Sequence, residues 1–228
     1  MFKKEIDRRE FLRIMAAASL GIMSHNSIRA MESSFGSVAP KSLSAPKPKV
    51  KERLIGFNLL NKFNPDYPTA FSEEDFEIMA EWGFNFARIP LSYWCWSSED
   101  DWYRVDEKCM RDIDKVVELG KQYKIHVNLN FHRAPGYCIN PPKPKANLFE
   151  DEAALEACAF HWKMFAERYK SYSTKYLSFN LINEAPSIQD EKYEHVVRHL
   201  IKTIREVSPK RMIIVDGLDV GNRPLMSI

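Results

Sequence analysis

Strand and helix patterns alternate five times along the chain, every strand closes in polar or aromatic residues, and no glycine-rich turn follows the first strand. Together these predict an α/β fold of the (β/α)8 TIM-barrel type, with only about the first five strand-helix units present. The alternation demands parallel strands joined by crossover helices. An open doubly wound sheet usually carries a glycine-rich phosphate turn after its first strand, whereas Leu59-Leu60-Asn61-Lys62-Phe63 contains no glycine. A complete barrel takes about 250 residues, more than this chain offers once its amino-terminal address is set aside.

Each element has its own signal. Arg53 to Leu60 reads as the first strand, with Asn58 near its end. Ser72-Glu73-Glu74-Asp75 is an N-cap with an acidic first turn, opening a helix that stops at Gly83. Phe84 to Leu91 is the second strand, closed by Pro90. Asp106 caps a second helix carrying Ile113, Val116, Val117 and Gly120 along one face. Ile125 to His132 is the third strand, and a proline-rich loop leads into a long helix from about Glu150 to Lys170. Tyr176 to Ile182 is an apolar, aromatic-rich run that reads as a strand buried on both faces, ending in Asn183-Glu184. A helix from Asp190 to Val207 precedes a fifth strand at Met212 to Gly217.

The first thirty residues are an address. Arg8-Arg9 with Phe11-Leu12, an apolar run from Ile14 to Met23 and a cleavage site after Ala30 resemble a twin-arginine export signal. The run is too short to span a bilayer, so no stable membrane anchor is predicted and the protein is expected in the periplasm or outside the cell. Residues 31–51, with Pro40, Pro46 and Pro48, read as a flexible Pro/Ser/Lys tether, which leaves 52–228 as the folded domain. A formal charge of +2 without a basic block argues against nucleic acid as a partner. Cys95, Cys109, Cys138 and Cys158 form no metal-ligand pattern, and either one disulfide or buried free thiols fits them.

The strand ends gather Asn58, Arg88, His132, Asn183 with Glu184, and Asp216. In parallel α/β architectures the active site is built at that end. Glu184 beside Asn183 suits acid–base work on a sugar, although the pair equally well opens a loop and caps the next helix. Among the aromatics after strand two, Trp94 and Trp96 can present flat faces to a sugar ring or pack the loop, and Tyr137 beside His132 is the better single candidate. Trp82 and Trp162 lie within helices and are expected in the core. His126 is expected to be buried and structural. His126 and His132 sit ~20 Å apart along a strand, which argues against a shared metal.

Gly83-Phe84-Asn85-Phe86-Ala87-Arg88-Ile89-Pro90, Asn130-Phe131-His132-Arg133-Ala134-Pro135-Gly136-Tyr137 and Phe179-Asn180-Leu181-Ile182-Asn183-Glu184 together resemble the glycoside hydrolase family 5 enzymes, the cellulase-type endoglucanases. The resemblance runs from about Leu54 to Ile214. It implies retaining hydrolysis of a β-glucan by two glutamates without a cofactor. Glu184 then matches the acid/base, Asn183 the amide on the sugar 2-hydroxyl, Arg88 the residue that steadies the nucleophile, and His132 a wall of the sugar site. The family's nucleophile comes from a seventh strand, so it is missing here, and Ala185 stands where the family commonly has proline. A relative acting on mannan or another β-glycan fits as well. So does a truncated half-barrel that at most binds glycan, whose exposed edge predicts self-association.

Overall fold

The computed structural model describes residues 53–64, 66 and 68–227. The chain divides into Met1–Val50 and Lys51–Ile228, and all that follows concerns the second unit. The expected export signal and tether lie outside the described residues.

Strands β1 (Gly56–Asn58), β2 (Phe86–Ser92), β3 (His126–Ala134), β5 (Leu177–Asn180) and β6 (Met212–Ile214) form a sheet in the order β1-β2-β3-β5-β6. All four pairings along this path are parallel. The two-residue β4 (Tyr137–Cys138) folds back antiparallel on the end of β3. Helices α1 (Glu73–Glu81), α2 (Glu107–Tyr123), α3 (Glu152–Arg168) and α4 (Asp190–Val207) make the crossovers. Among the described residues the fifth strand is not followed by a helix, so the expected five units are five parallel strands and four helices. This is part of a (β/α) barrel.

Local chemistry explains the helix ends. Ser72 accepts from the Glu74 N–H at 3.2 Å, and Asp106 accepts from Lys108 at 2.7 Å, as N-caps do. Gly83, at φ 78, closes α1 with Phe84 N–H on Met79 O and its own N–H on Ala80 O, the paired bonds of a Schellman motif. Trp82 is the cap residue before it and is 46% exposed, which corrects its expected place in the core. It lies on the last turn, where the side chain faces solvent.

The sheet has two unlike faces. Ala87, Ile89, Leu91, Val127, Leu129, Phe131, Leu177 and Phe179 are fully buried, and Phe131 stacks on Trp162 of α3 at 4.0 Å. Gly120 lets α2 approach closely, since a Cβ there would lie 2.3 Å from Val127 Cγ2. The opposite face is polar and hydrogen-bonded. Asn128 donates to Ser178 Oγ at 2.8 Å, and Asn130 donates to Asn180 Oδ1 at 3.0 Å, each pair in register across β3 and β5. The Tyr176 run is therefore not apolar on both faces: Ser178 and Asn180 turn inward and are satisfied there, as burial requires. His126 is buried as expected, with its ring nitrogens on Lys175 O and Ser178 Oγ. All four cysteines are free thiols.

Candidate active site

The inward polar face ends in a network at the carboxyl edge of the strands. Arg88, on β2, is half-buried and points across to β5. Its Nε and Nη2 donate to Asn180 Oδ1 at 3.2 and 3.0 Å, and Nη2 also donates to Asn183 Oδ1 at 2.8 Å. Burial lowers the Arg88 pKa, while the charges of Asp216 and Glu184 oppose that shift and favour the cation. Asn180 in turn donates to Asp216 Oδ1 at 2.8 Å. The Glu184 N–H donates to Asp216 Oδ2 at 3.0 Å, and the Glu184 carbonyl accepts from the Tyr137 hydroxyl at 2.6 Å. Arg88, Asn183, Glu184 and Tyr137 are thus brought together through Asn180 and Asp216.

The strand that carries this site is shorter than its sequence suggests. β5 stops at Asn180, and the chain turns so that Glu184 takes a left-handed backbone, φ 48. Leu181 still bonds to Ile214 O and Asn183 to Phe131 O, so the turn stays pinned to both neighbouring strands.

His132 lies near the end of β3 on the same side. One ring nitrogen pairs with Asn140 Oδ1 at 2.7 Å, and the ring meets Phe63 edge-on at 4.5 Å. Burial is the main reason its pKa is lowered, and Arg88 adds to this, while Asn140 and Glu184 oppose it. Its Nδ1 and the Asn183 Nδ2 are buried without a partner among the described residues. Such orphaned polar atoms are rare in folded proteins, and a functional site is one of the places they persist.

The aromatic expectations divide. Trp94 is half-buried, with the Arg133 guanidinium 4.1 Å over its ring, and it lines a cavity of about 310 Å³ with His132, Asn64 and Asn140. Trp96 is different. It is 1% exposed, donates to His161 Nδ1 at 3.2 Å and packs on Phe131 and Phe165. No ring face is left for a sugar, so Trp96 is a core residue and not a binding one. Tyr137 lines a second cavity of about 490 Å³ with Pro186 and Phe149, but its hydroxyl is committed to the Glu184 backbone. Trp162 is buried as expected and donates to Leu181 O, just before the site.

Two members of the network were not singled out from sequence as site residues. Asn180 lies inside a strand, and only its alternation with Ser178 signals an inward face. Asp216 was seen as a strand end, yet its partners come from another strand and a turn.

A family model described as Cellulase (glycosyl hydrolase family 5) matches residues 47–226. Endoglucanase C of Acetivibrio thermocellus is 29% identical over 151 residues, which cover 66% of this chain and 43% of that protein. Glucan 1,3-beta-glucosidase D of Emericella nidulans is 37% identical over 142 residues, covering 57% of this chain and 17% of its own length. A solved structure titled as that of a glycoside hydrolase superimposes with a TM-score of 0.74 at 34% identity, over 77% of this chain and 57% of that one. The chain therefore spans less than half of the curated endoglucanase it matches. A family model that runs through all five strands settles the kinship: the chain belongs to glycosyl hydrolase family 5.

Proposed function

We propose that this chain carries the acid/base half of a retaining β-glycanase acting on a β-glucan such as cellulose, with Glu184 as acid/base. The observation that carries the reading is the convergence of Arg88, Asn183 and Glu184 at one edge of the sheet. Asn183 is held by Arg88 through its oxygen, and its buried amide N–H₂, without a partner among the described residues, is a donor suited to a sugar hydroxyl. His132 Nδ1 lies at the same edge without a partner among the described residues, and Trp94 lines the adjoining cavity as a wall for sugar. Tyr137 acts through the Glu184 backbone rather than on the sugar.

A retaining pair needs a second carboxylate about 5–5.5 Å from the first. Asp216 is near, but both of its oxygens accept hydrogen bonds within the protein. We assign the nucleophile, as the family resemblance implies, to a glutamate of a further strand. The mechanism needs no cofactor. The export signal read in residues 1–30 is consistent with periplasmic or extracellular action on polysaccharide.

A second reading is a chain that binds glycan without cleaving it and self-associates. It is favoured by the open sheet, whose β1 and β6 pair on one side only among the described residues. The coding sequence past Ile228 separates the two. An open frame supplying a glutamate at the end of a further strand supports the hydrolase, and an immediate stop codon supports the binder. Hydrolysis of cellohexaose in preference to mannohexaose is the expected substrate preference, and the reverse order would assign the chain to mannan.

A further inference from the structure

We propose that Asp216 is a positioning residue for Glu184, which it holds together with Tyr137 by clamping the Glu184 peptide from both sides; this rests on the reading of Glu184 as acid/base. Glu184 is not glycine, yet its φ is 48. A left-handed conformation is unfavourable for an L residue, and it persists only where the surroundings over-determine it. Here they do. The N–H is taken by Asp216 Oδ2 at 3.0 Å and the carbonyl by the Tyr137 hydroxyl at 2.6 Å. The following carbonyl, of Ala185, accepts from Val220 N–H at 2.9 Å, so the segment after β6 braces the same turn.

Asp216 is itself fixed. Its Oδ1 accepts from Asn180, its carbonyl accepts from the Tyr193 hydroxyl at 2.8 Å, and Arg88 Nη2 lies 3.8 Å from Oδ2. At that distance Arg88 contributes charge rather than a hydrogen bond. Burial raises the Tyr137 phenol above its ordinary value, so it remains a protonated donor. The direction in which the Glu184 carboxyl leaves the backbone is set by this turn. Releasing the clamp thus moves the proton donor.

The two contacts need two acceptors. An asparagine at 216 offers one acceptor and one donor, so even this isosteric change must give up Asn180 or the Glu184 N–H. The test uses the whole polypeptide encoded by the gene, with 15N-glutamate labelling. Asp216→Asn and Asp216→Ala are expected to speed exchange of the Glu184 amide while circular dichroism stays native. Turnover of β-1,4-glucan is expected to fall by about 10²-fold, the cost of a misplaced catalytic group. For 2,4-dinitrophenyl β-cellobioside, whose leaving group needs no proton, kcat/KM should change little, while kcat falls because Glu184 also serves as the base that hydrolyses the glycosyl-enzyme. Unchanged Glu184 exchange in both variants overturns the proposal, and so does an equal fall in kcat/KM on both substrates, which marks a general structural defect. If Glu184→Ala leaves glucan hydrolysis intact, or no hydrolysis is seen at all, the acid/base reading fails instead, and the amide exchange still decides the clamp.

Discussion

The Asn183 side chain accepts a 2.8 Å hydrogen bond from Arg88 through its oxygen, and its buried Nδ2 has no partner among the described residues. The amide orientation is dictated by the cation, because only the oxygen can face a guanidinium. Replacing Asn183 with alanine removes a partner of Arg88 and the free donor together. Stability is expected to drop by about 1–3 kcal/mol, the cost of an unsatisfied buried donor. Cellohexaose binding should weaken as well, which urea unfolding and calorimetric titration would register separately. Unchanged binding would remove Asn183 from the site.

Arg88→Lys keeps the charge but not the fork that reaches Asn180 and Asn183 at once. Lysine at a multidentate site is not a conservative replacement. The variant is expected to lose on the order of 1–3 kcal/mol in denaturant unfolding. A midpoint equal to wild type would mean that the network is not held by Arg88.

Trp96 and Trp94 should behave oppositely although two residues apart. Trp96→Ala empties a buried site against Phe131 and Phe165 and is expected to cost about 3–5 kcal/mol of stability. Trp94→Ala should leave the fold near wild type and weaken cellohexaose binding about tenfold, on the order of 1.4 kcal/mol. Thermal melts and binding isotherms of the two variants give the comparison. Equal effects on both measurements would contradict the division between core and site.

His161 provides a pH dependence. It is fully buried on α3, and burial holds its pKa at about 4, against 6.5 for the ordinary group. The folded state therefore favours the neutral ring, and the unfolded chain binds more protons between these values. Stability is complete above about pH 6.5 and is lost as pH falls toward 4, by up to roughly 3 kcal/mol from this group. Burial lowers His126 and His132 in the same direction. Urea melts at pH 7 and pH 5 would reveal the slope, and His161→Gln, which can still accept from Trp96, should flatten it. A slope unchanged in that variant would assign the effect to other groups.

Much of the site was legible because each residue sat at a position the strand pattern defines. Arg88 and His132 lie on β2 and β3 and Asn183 and Glu184 follow β5, and parallel order alone brings such positions together. The α4 boundaries, Asp190–Val207, follow from helical periodicity and coincide with those expected from sequence. What was not legible depends on contacts distant in sequence. Trp96 looked like a loop aromatic because His161 and Phe165, which bury it, come from a helix some 65 residues on. Trp82 looked like core because it was placed within the helix, whereas it is the cap residue just ahead of Gly83 and its side chain faces outward. The left-handed turn at Glu184 carries no glycine to announce it, and its supports, Tyr137 on β4 and Asp216 just past β6, are distant in sequence.

The most direct measurement is release of reducing ends from β-1,4-glucan by the whole encoded polypeptide and by its Glu184→Gln variant, with cellohexaose binding measured on both. The expected result is release by the wild type, a fall of at least about 10²-fold in the variant, and binding that survives the change. Equal release by the two proteins would contradict Glu184 as the acid/base.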